Sequence, residues 1–314
     1  MVQDTSTRKE TMGGREALVS ERSARKPDKR GRRMALLRRA GLFGVDTEGA
    51  VIRRAVTAGD LVGAYRLVHE AFLERGYIRP MPGELRIRPF EALPSMATFV
   101  ADADGEIVGV QGLAVDDPDL GLPSDGAFKA EIDALRRGGR LVCEATNQAV
   151  APAYRKSAVA TELMRAMFAH ALLAGCDELI TTVSPGHARF FELLGFEKAS
   201  PVRSYSAELD DPTILMRVNV AQLLEWVEAA DDRSDAAALF IKVRCVDGNP
   251  YREQVADWAE EAETLFGRPW DLRDLFAERS GLLDRVSDEA RTVIRARWGA
   301  EVFDDVAAPA LAVG

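Results

Sequence analysis

Cysteine occurs only three times in 314 residues, as Cys143, Cys176 and Cys245, and no two of them form a Cys-x-x-Cys pair. A disulfide framework and a zinc site are therefore not expected, and a reducing cytoplasm is the expected compartment. No stretch approaches the roughly eighteen uninterrupted apolar residues of a membrane span. Basic residues occupy the N-terminus where an export signal needs an apolar segment, so neither export nor membrane insertion is expected. The 41 Lys and Arg are outnumbered by 50 Asp and Glu, a formal charge of -9. That balance argues against nucleic acid as the partner of the whole surface.

What the chain does have is an apolar fraction of 47%, enough for one sizeable core with an appended lobe. Residues 1–50 are expected to form a disordered basic tail, because residues 1–33 are too poor in apolar side chains to bury themselves. The basic tract at 22–39 runs into Met34, Leu36, Leu37, Leu42 and Phe43. This composition fits either a solvated tail or a short amphipathic helix in weak contact with anionic lipid or a partner.

Order is expected from Val51 in a strand, then in a helix with Asp60 at its N-terminus. Leu61, Ala64, Tyr65, Val68, Phe72 and Leu73 line one face of that helix and Gly76 ends it. After a proline-rich loop at 80–94, residues 97–101 and 106–115 predict a hairpin closed at Asp104-Gly105. An insertion with a helix at 128–137 leads to a strand at 141–150, a long helix that Gly175 ends, and a strand at 178–184. Strand, helix, strand implies a crossover between parallel strands whose ends lie side by side. A short helix and strands near 197–207 and 214–220 complete a domain expected at 51–220. Residues 221–314 show helical spacing throughout, with Ser287 as a cap and an apolar set (Leu265, Trp270, Leu272, Phe276) dense enough to pack on the main domain.

The turn from Val150 to Ala160 opens the long helix with mostly small residues around Arg155 and Lys156. First-turn N–H groups, the helix dipole and the two cations together favour a phosphate. In that context Arg155-x-x-Ala158-x-Ala160 resembles the pyrophosphate loop of the GNAT acyltransferases, and Phe190-Phe191-Glu192-Leu193-Leu194-Gly195-Phe196 resembles their helix-to-strand junction. Further blocks are similar to the FeeM-like N-acyl amino acid synthases, relatives of the acyl-homoserine-lactone synthases. They are residues 67–77, Gly121-Leu122-Pro123-Ser124-Asp125 with Phe128 and Glu131, residues 139–144, Pro185-Gly186-His187, and residues 215–220.

The resemblance implies an α/β (α+β) fold with a GNAT-like mixed twisted sheet, flanking helices and a helical C-terminal lobe. The sheet is expected to split between the strands ending near Val150 and Ser184, leaving an apolar cleft. The implied activity is N-acyl transfer: a long chain passes from the phosphopantetheine of acyl carrier protein, or from acyl-CoA, to the amine of an amino acid or similar small amine. That thioester is a cosubstrate, and no permanently bound cofactor or metal is expected. Two departures stand out, since Ala158 replaces the usual glycine and Phe191 sits where relatives often carry tyrosine. The first weakens a pyrophosphate cradle, which matters less for a carrier donor with its single phosphate than for coenzyme A.

Glu144, mid-strand before the turn, is the first candidate for the base that accepts the amine proton, and His187 is the second. Each also reads as a structural group, the one a carboxylate bonded within the sheet or to Arg140, the other a capping imidazole. The donor is expected on Val150, Arg155, Lys156, Ser157, Ala158, Val159 and Ala160, and the resemblance implies a carbonyl-polarising backbone N–H at 148–150. Glu131 and Arg140, with Asp133, are expected to hold the acceptor, and Arg136, Arg137 and Arg165 to meet the carrier. His69 and His170 fall within helices as packing or surface residues. Two alternatives stay open: an acetyl-CoA-dependent N-acetyltransferase of a small amine or protein, and a non-catalytic acyl-binding or regulatory module.

Overall fold

The computed structural model describes residues 44, 46–206, 211–230 and 235–308, so the expected amphipathic stretch near 34–43 lies outside the described residues. Strand β1 (Val51–Arg54) leads into helix α1 (Ala58–Glu74). Thr57 caps this helix and Asp60 is its first-turn acid: the Thr57 hydroxyl accepts from the Asp60 N–H, and the Asp60 carboxylate accepts from the Thr57 N–H, both at 3.1 Å. These reciprocal bonds satisfy two donors that a helix start leaves open. Strands β2 (Ala97–Ala103) and β3 (Glu106–Val115) form the expected hairpin. Asp104 and Gly105 take φ of 54° and 88°, torsions that match a tight turn to the twist of the strands.

Helix α2 (Asp125–Arg137) precedes β4 (Val142–Val150), which helix α3 (Val159–Leu173) joins to β5 (Glu178–Val183). Helix α4 (Ala188–Leu193), the short strands β6 (Glu197–Lys198) and β7 (Arg203–Ser204), and β8 (Pro212–Asn219) follow. The strand expected across 197–207 is broken in two at Ser200-Pro201, where proline has no N–H to give the ladder. The sheet order is β1-β2-β3-β4-β5-β8-β6, with β7 also on β8. Strands β4 and β5 run parallel, and the other pairings among the described residues are antiparallel.

Alternate strand residues face opposite sides of the sheet. On one side Cys143, Leu179 and Val218 pack beneath α3 together with α5 (Val220–Glu228) and α6 (Ala236–Ile241). On the other, α2 covers Val142, Ile180 and Leu215, while α1 covers Val100, Val110 and Ala149. Leu265, Leu272, Phe276 and Leu282 join the α1 core, and the Trp298 indole donates to the Ala92 carbonyl at 2.6 Å. Trp270 departs from the expected packing: it is 80% exposed, with the Arg273 guanidinium over its ring.

Gly109 sets how closely α3 approaches β3. A Cβ there would lie 2.5 Å from Val159 Cγ1 and 2.9 Å from Leu163 Cδ1, so any side chain pushes α3 and its leading turn off the sheet. Gly109→Ala is expected to destabilise the protein by about 1–3 kcal/mol. The check is a urea titration showing a lower midpoint with the slope unchanged.

Candidate active site

Strands β4 and β5 pair only from Val142↔Glu178 to Ala145↔Thr181. Thr181 Oγ1 donates to the Ala145 carbonyl at 3.0 Å where they part. Beyond that point β5 continues on β8 and β4 on β3, so a gap opens inside the sheet. Between Thr146 and Ala149 strand β4 carries one residue more than the facing part of β3, a bulge with Asn147 at φ 54°. Gln111 Nε2 secures the bulge by donating to the carbonyls of Thr146 and Gly112, both at 3.0 Å. The Asn147 side chain accepts from Arg86 Nη1 at 2.6 Å and donates to Glu91 Oε1 at 2.9 Å. Arg88 holds the same carboxylate at 2.5 Å. Burial pushes the Glu91 carboxyl up, but Arg88, Arg86 and Asn147 more than offset this and hold it below the usual carboxylate range.

A cavity of about 740 Å³ fills the gap. Its wall on the α3 face is apolar, with Met164, Met167, Phe168 and Leu223; the opposite wall carries Arg86, Gln111, Asn147, Tyr205 and Asp211. Arg86 is 6% exposed, and its guanidinium lies 4.8 Å from the centre of the Phe72 ring. Burial lowers its pKa to about 10, so it stays charged at neutral pH. One of its amino groups is taken by Asn147, while Nε is buried with no hydrogen-bond partner. Such a guanidinium edge is shaped for a carboxylate. Burial pushes the Tyr205 phenol up, so it stays protonated and donates to the Pro123 carbonyl at 2.9 Å. Asp211 is committed to the N–H groups of Tyr205 and Ser206 at 3.1 and 3.2 Å.

Of the candidates for the base, the structure brings only His187 to the cavity. It is exposed at the rim, with Nδ1 2.7 Å from the Ser184 hydroxyl. Glu144, the first candidate for the base, is not brought to the cavity. It is 1% exposed, lies outside the cavity lining, and accepts from the Ser124 N–H at 2.9 Å and the Ser124 hydroxyl at 2.7 Å. Burial pushes its carboxyl up to about 7, although Ser124 and Arg88 pull the other way.

Glu131 and Arg140 do not meet. Arg140 pairs with Glu178 at 2.5 Å, at the far end of β4 from the gap; at about 3.3 Å per residue the bulge lies roughly 20 Å away. Glu131 is held by Arg203 and Asp133 by Lys129 and Arg136. Arg136 also binds Asp116 and Asp125, and Arg165 is buried against Glu162 and the carbonyls of Arg244 and Gly248. Neither is presented to a carrier, whereas Arg137 is exposed. His69 accepts from the Met81 N–H at 3.1 Å, and His170 packs edge-on to Phe99 with its pKa lowered by burial to about 4.

The donor turn stands beside the gap. Arg155 donates to the Val150 carbonyl at 3.2 Å and to Glu74 at 2.8 Å, and Lys156 is exposed. Four of the turn's amides are bonded within the chain: Arg155 N–H to the Pro152 carbonyl at 3.4 Å, Ser157 N–H to the Tyr154 carbonyl at 3.0 Å, Ala158 N–H to the Asp46 carbonyl at 2.8 Å, and Val159 N–H to the Ser157 hydroxyl at 3.3 Å. Ala160 follows in the first helical turn. Sequence reasoning missed Arg86, Asn147 and Tyr205. A signal for Arg86 was there, because Arg86 and Arg88 alternate with Leu85 and Ile87 in a proline-flanked loop, the pattern of a half-buried extended segment.

The sequence profile of the N-acyl amino acid synthase FeeM family matches residues 63–219, the stretch that holds the bulge, the gap and the donor turn. The chain belongs to this family. It is therefore an N-acyltransferase, built on a GNAT-like fold. Among solved structures, FeeM itself, an N-acyl amino acid synthase from uncultured soil microbes, is 24% identical with a TM-score of 0.49, covering 55% of this chain and 92% of that one. The acyl-homoserine-lactone synthase LasI is 18% identical with a TM-score of 0.42, covering 54% and 88%. BjaI, a CoA-dependent acyl-homoserine lactone synthase solved with SAM and isopentyl-CoA, is 18% identical with a TM-score of 0.41, covering 61% and 99%. No curated protein matches the chain significantly.

In this FeeM-family chain the placement of Glu144 has a thermodynamic signature. Its carboxyl is raised in the fold from the ordinary value of 4.5 to about 7, so its contribution to stability is full below pH 4.5 and is lost as pH rises through 7. His170 works oppositely, gaining between about 4 and 6.5, so the effect is read as a difference between proteins. Relative to Glu144→Gln, the parent should lose stability across that window, by about 1.4 kcal/mol for each tenfold difference in proton affinity. Urea midpoints at pH 5, 6, 7 and 8 that run parallel in the two proteins would refute the burial argument.

Proposed function

We propose that this protein carries a long acyl chain from the phosphopantetheine of an acyl carrier protein to the α-amine of an amino acid whose carboxylate Arg86 holds. The observation that carries this is one continuous cavity with an apolar wall on one face of the sheet and a half-paired, buried guanidinium on the other. The amine lone pair forms the C–N bond at the thioester carbonyl while the C–S bond breaks. The amine gives up a proton and the pantetheine sulfur leaves as the thiol. His187 takes the amine proton in this scheme, steadied by Ser184. Glu144 acts at one remove, fixing Ser124 at the start of α2. A backbone N–H at 148–150, on the strand edge that β5 has left, polarises the carbonyl.

Lys156 and the turn formed by Arg155, Ser157, Ala158, Val159 and Ala160 take the donor phosphate. The internal bonds of the Ala158 and Val159 amides favour a donor with one phosphate over a pyrophosphate. Arg75 and Lys156, exposed near the mouth, replace Arg136 and Arg165 as the cations offered to an acidic carrier. An acetyl group would leave most of the cavity empty, which counts against the acetyl-CoA reading. The three free thiols support a reducing cytoplasm as the place of action, and no helix among the described residues is long and apolar enough to cross a membrane.

Thiol release from long-chain acyl carrier protein, measured across a panel of amino acids and their decarboxylated amines, tests the reading. Arg86→Met should raise KM for amino acids by about tenfold or more, with little effect on the amines. His187→Ala should lower kcat by about a hundredfold or more. Parent activity should fall as salt rises, because exposed cations are screened. Amines accepted as well as amino acids, or coenzyme A thioesters used better than carrier thioesters, would overturn it.

A further inference from the structure

The apolar part of the cavity is finished by residues outside the family-matched segment. Phe240, Ile241 and Cys245 belong to α6 and the π-helical turn Lys242–Asp247 that continues it, beyond the match at 63–219. Exposure shows which end they form. The lining residues Arg75, Tyr77 and His187 are exposed and mark the mouth, whereas Phe240 is 5% exposed and Ile241 4%. With the partly buried Cys245 they line the closed, apolar part of the cavity, away from the mouth.

This wall is fastened to α3. Arg165 donates to the carbonyls of Arg244 at 2.7 Å and Gly248 at 2.6 Å, and Asn249 Nδ2 donates back to the Arg165 carbonyl at 2.9 Å. Glu162, on the same helix, accepts from Arg165 at 2.7 Å, Arg244 at 2.9 Å and the Tyr251 hydroxyl at 3.0 Å. The π-helical turn holds one residue more per turn than an α-helix, and such widenings collect at functional sites. A wall tied to α3 at Arg244 within the turn and at Gly248, Asn249 and Tyr251 just after it is held against swinging away to admit a longer chain, so its side chains fix the depth of the pocket.

We infer that Phe240, Ile241 and Cys245 gauge acyl-chain length, so that the C-terminal segment, not the family-matched segment, decides which chain is used. This rests on the apolar end of the cavity being the acyl site, as proposed above. A hydrophobic wall discriminates by roughly 10- to 200-fold per methylene. Phe240→Ala removes bulk at the closed end and should improve kcat/KM for donors longer than the parent's optimum, relative to that optimum, by about tenfold or more. Cys245→Phe adds bulk and should shift preference to shorter donors.

The experiment pairs two readouts on the full chain: transfer from a graded series of acyl carrier protein thioesters, and displacement of a fluorescent fatty acid by straight-chain fatty acids of graded length. Circular dichroism confirms folding, and Ile241→Val serves as the milder enlargement if Phe240→Ala does not fold. Opposite shifts of both length profiles in the enlarging and filling variants support the gauge. Profiles unchanged in folded variants overturn it. Shifted binding profiles with no acyl transfer by any protein, parent included, would uphold the gauge and overturn the proposed activity.

Discussion

Strand β4 has two neighbours for its first four residues and one for the rest, and the site follows from that loss. Backbone groups abandoned inside a protein cost about 1–3 kcal/mol each if left unpaired, so an internal gap in a sheet has to be managed group by group. Thr181 takes the last carbonyl before the strands part, Gln111 takes the carbonyl at the bulge, and Arg155 takes that of Val150. Val150 pairs with Gly109 on β3, and the Ala151 N–H bonds to Val108. Alternation along the strand therefore turns the Val150 amide, like its carbonyl, toward the gap. An extended substrate laid there meets a row of strand polar groups in the place where β5 would have continued.

Charge is arranged around the same bulge. Arg86 and Arg88 both donate to the Asn147 side-chain oxygen, and Arg88 and Asn147 both donate to one carboxylate, Glu91. Pairing of this kind seldom adds net stability, because desolvating the ions takes back most of the Coulomb gain. Its usefulness here is geometric: it fixes Asn147 in a left-handed conformation that a side chain without such bonds would rarely hold. It also leaves an excess of one positive charge beside the cavity, on a chain whose overall charge is -9. The local field thus opposes the global one where an anionic acceptor would dock.

Much of this was legible in the residues. Period-two and period-three-to-four patterns located the hairpin and the crossover β4–α3–β5, because those elements bury one face and must alternate to do so; the split was expected only from that crossover with its small-residue turn and from the family resemblance. The turn at 150–160 was legible as a helix start that carries cations and small residues, which is what the structure describes there. Glu144 misled because its place before the turn could be read but its facing could not: a bulge three residues later shifts which side of β4 meets the cavity. Arg86 and Tyr205 were hidden because they reach the gap from a loop and from the β7 edge, and contacts between distant segments leave no local period. The closed end of the pocket was hidden for the same reason, since Phe240 and Leu179 are neighbours only across the folded core.

The half-paired state of Arg86 has a consequence for selectivity. Burial, with the Arg88 charge beside it, lowers its pKa to about 10 despite Glu91, which means the fold bears a cost for keeping it charged. Under the proposed reading an incoming carboxylate removes that cost, and by reciprocity the guanidinium lowers the proton affinity of the carboxylate. An amine of the same shape without a carboxylate recovers nothing and leaves the buried donors unmet, and sites built to hydrogen-bond a substrate group reject analogues lacking it far more strongly than apolar pockets reject a wrong length. The two faces of the cavity are therefore unequal judges. Under the proposed reading the arginine face is the sharp selector of the head group, and the apolar face the gradual one of chain length. A thioester placed between them by the same reading is already reactive, so correct placement of the amine against it would supply much of the rate that acid–base chemistry would otherwise have to provide.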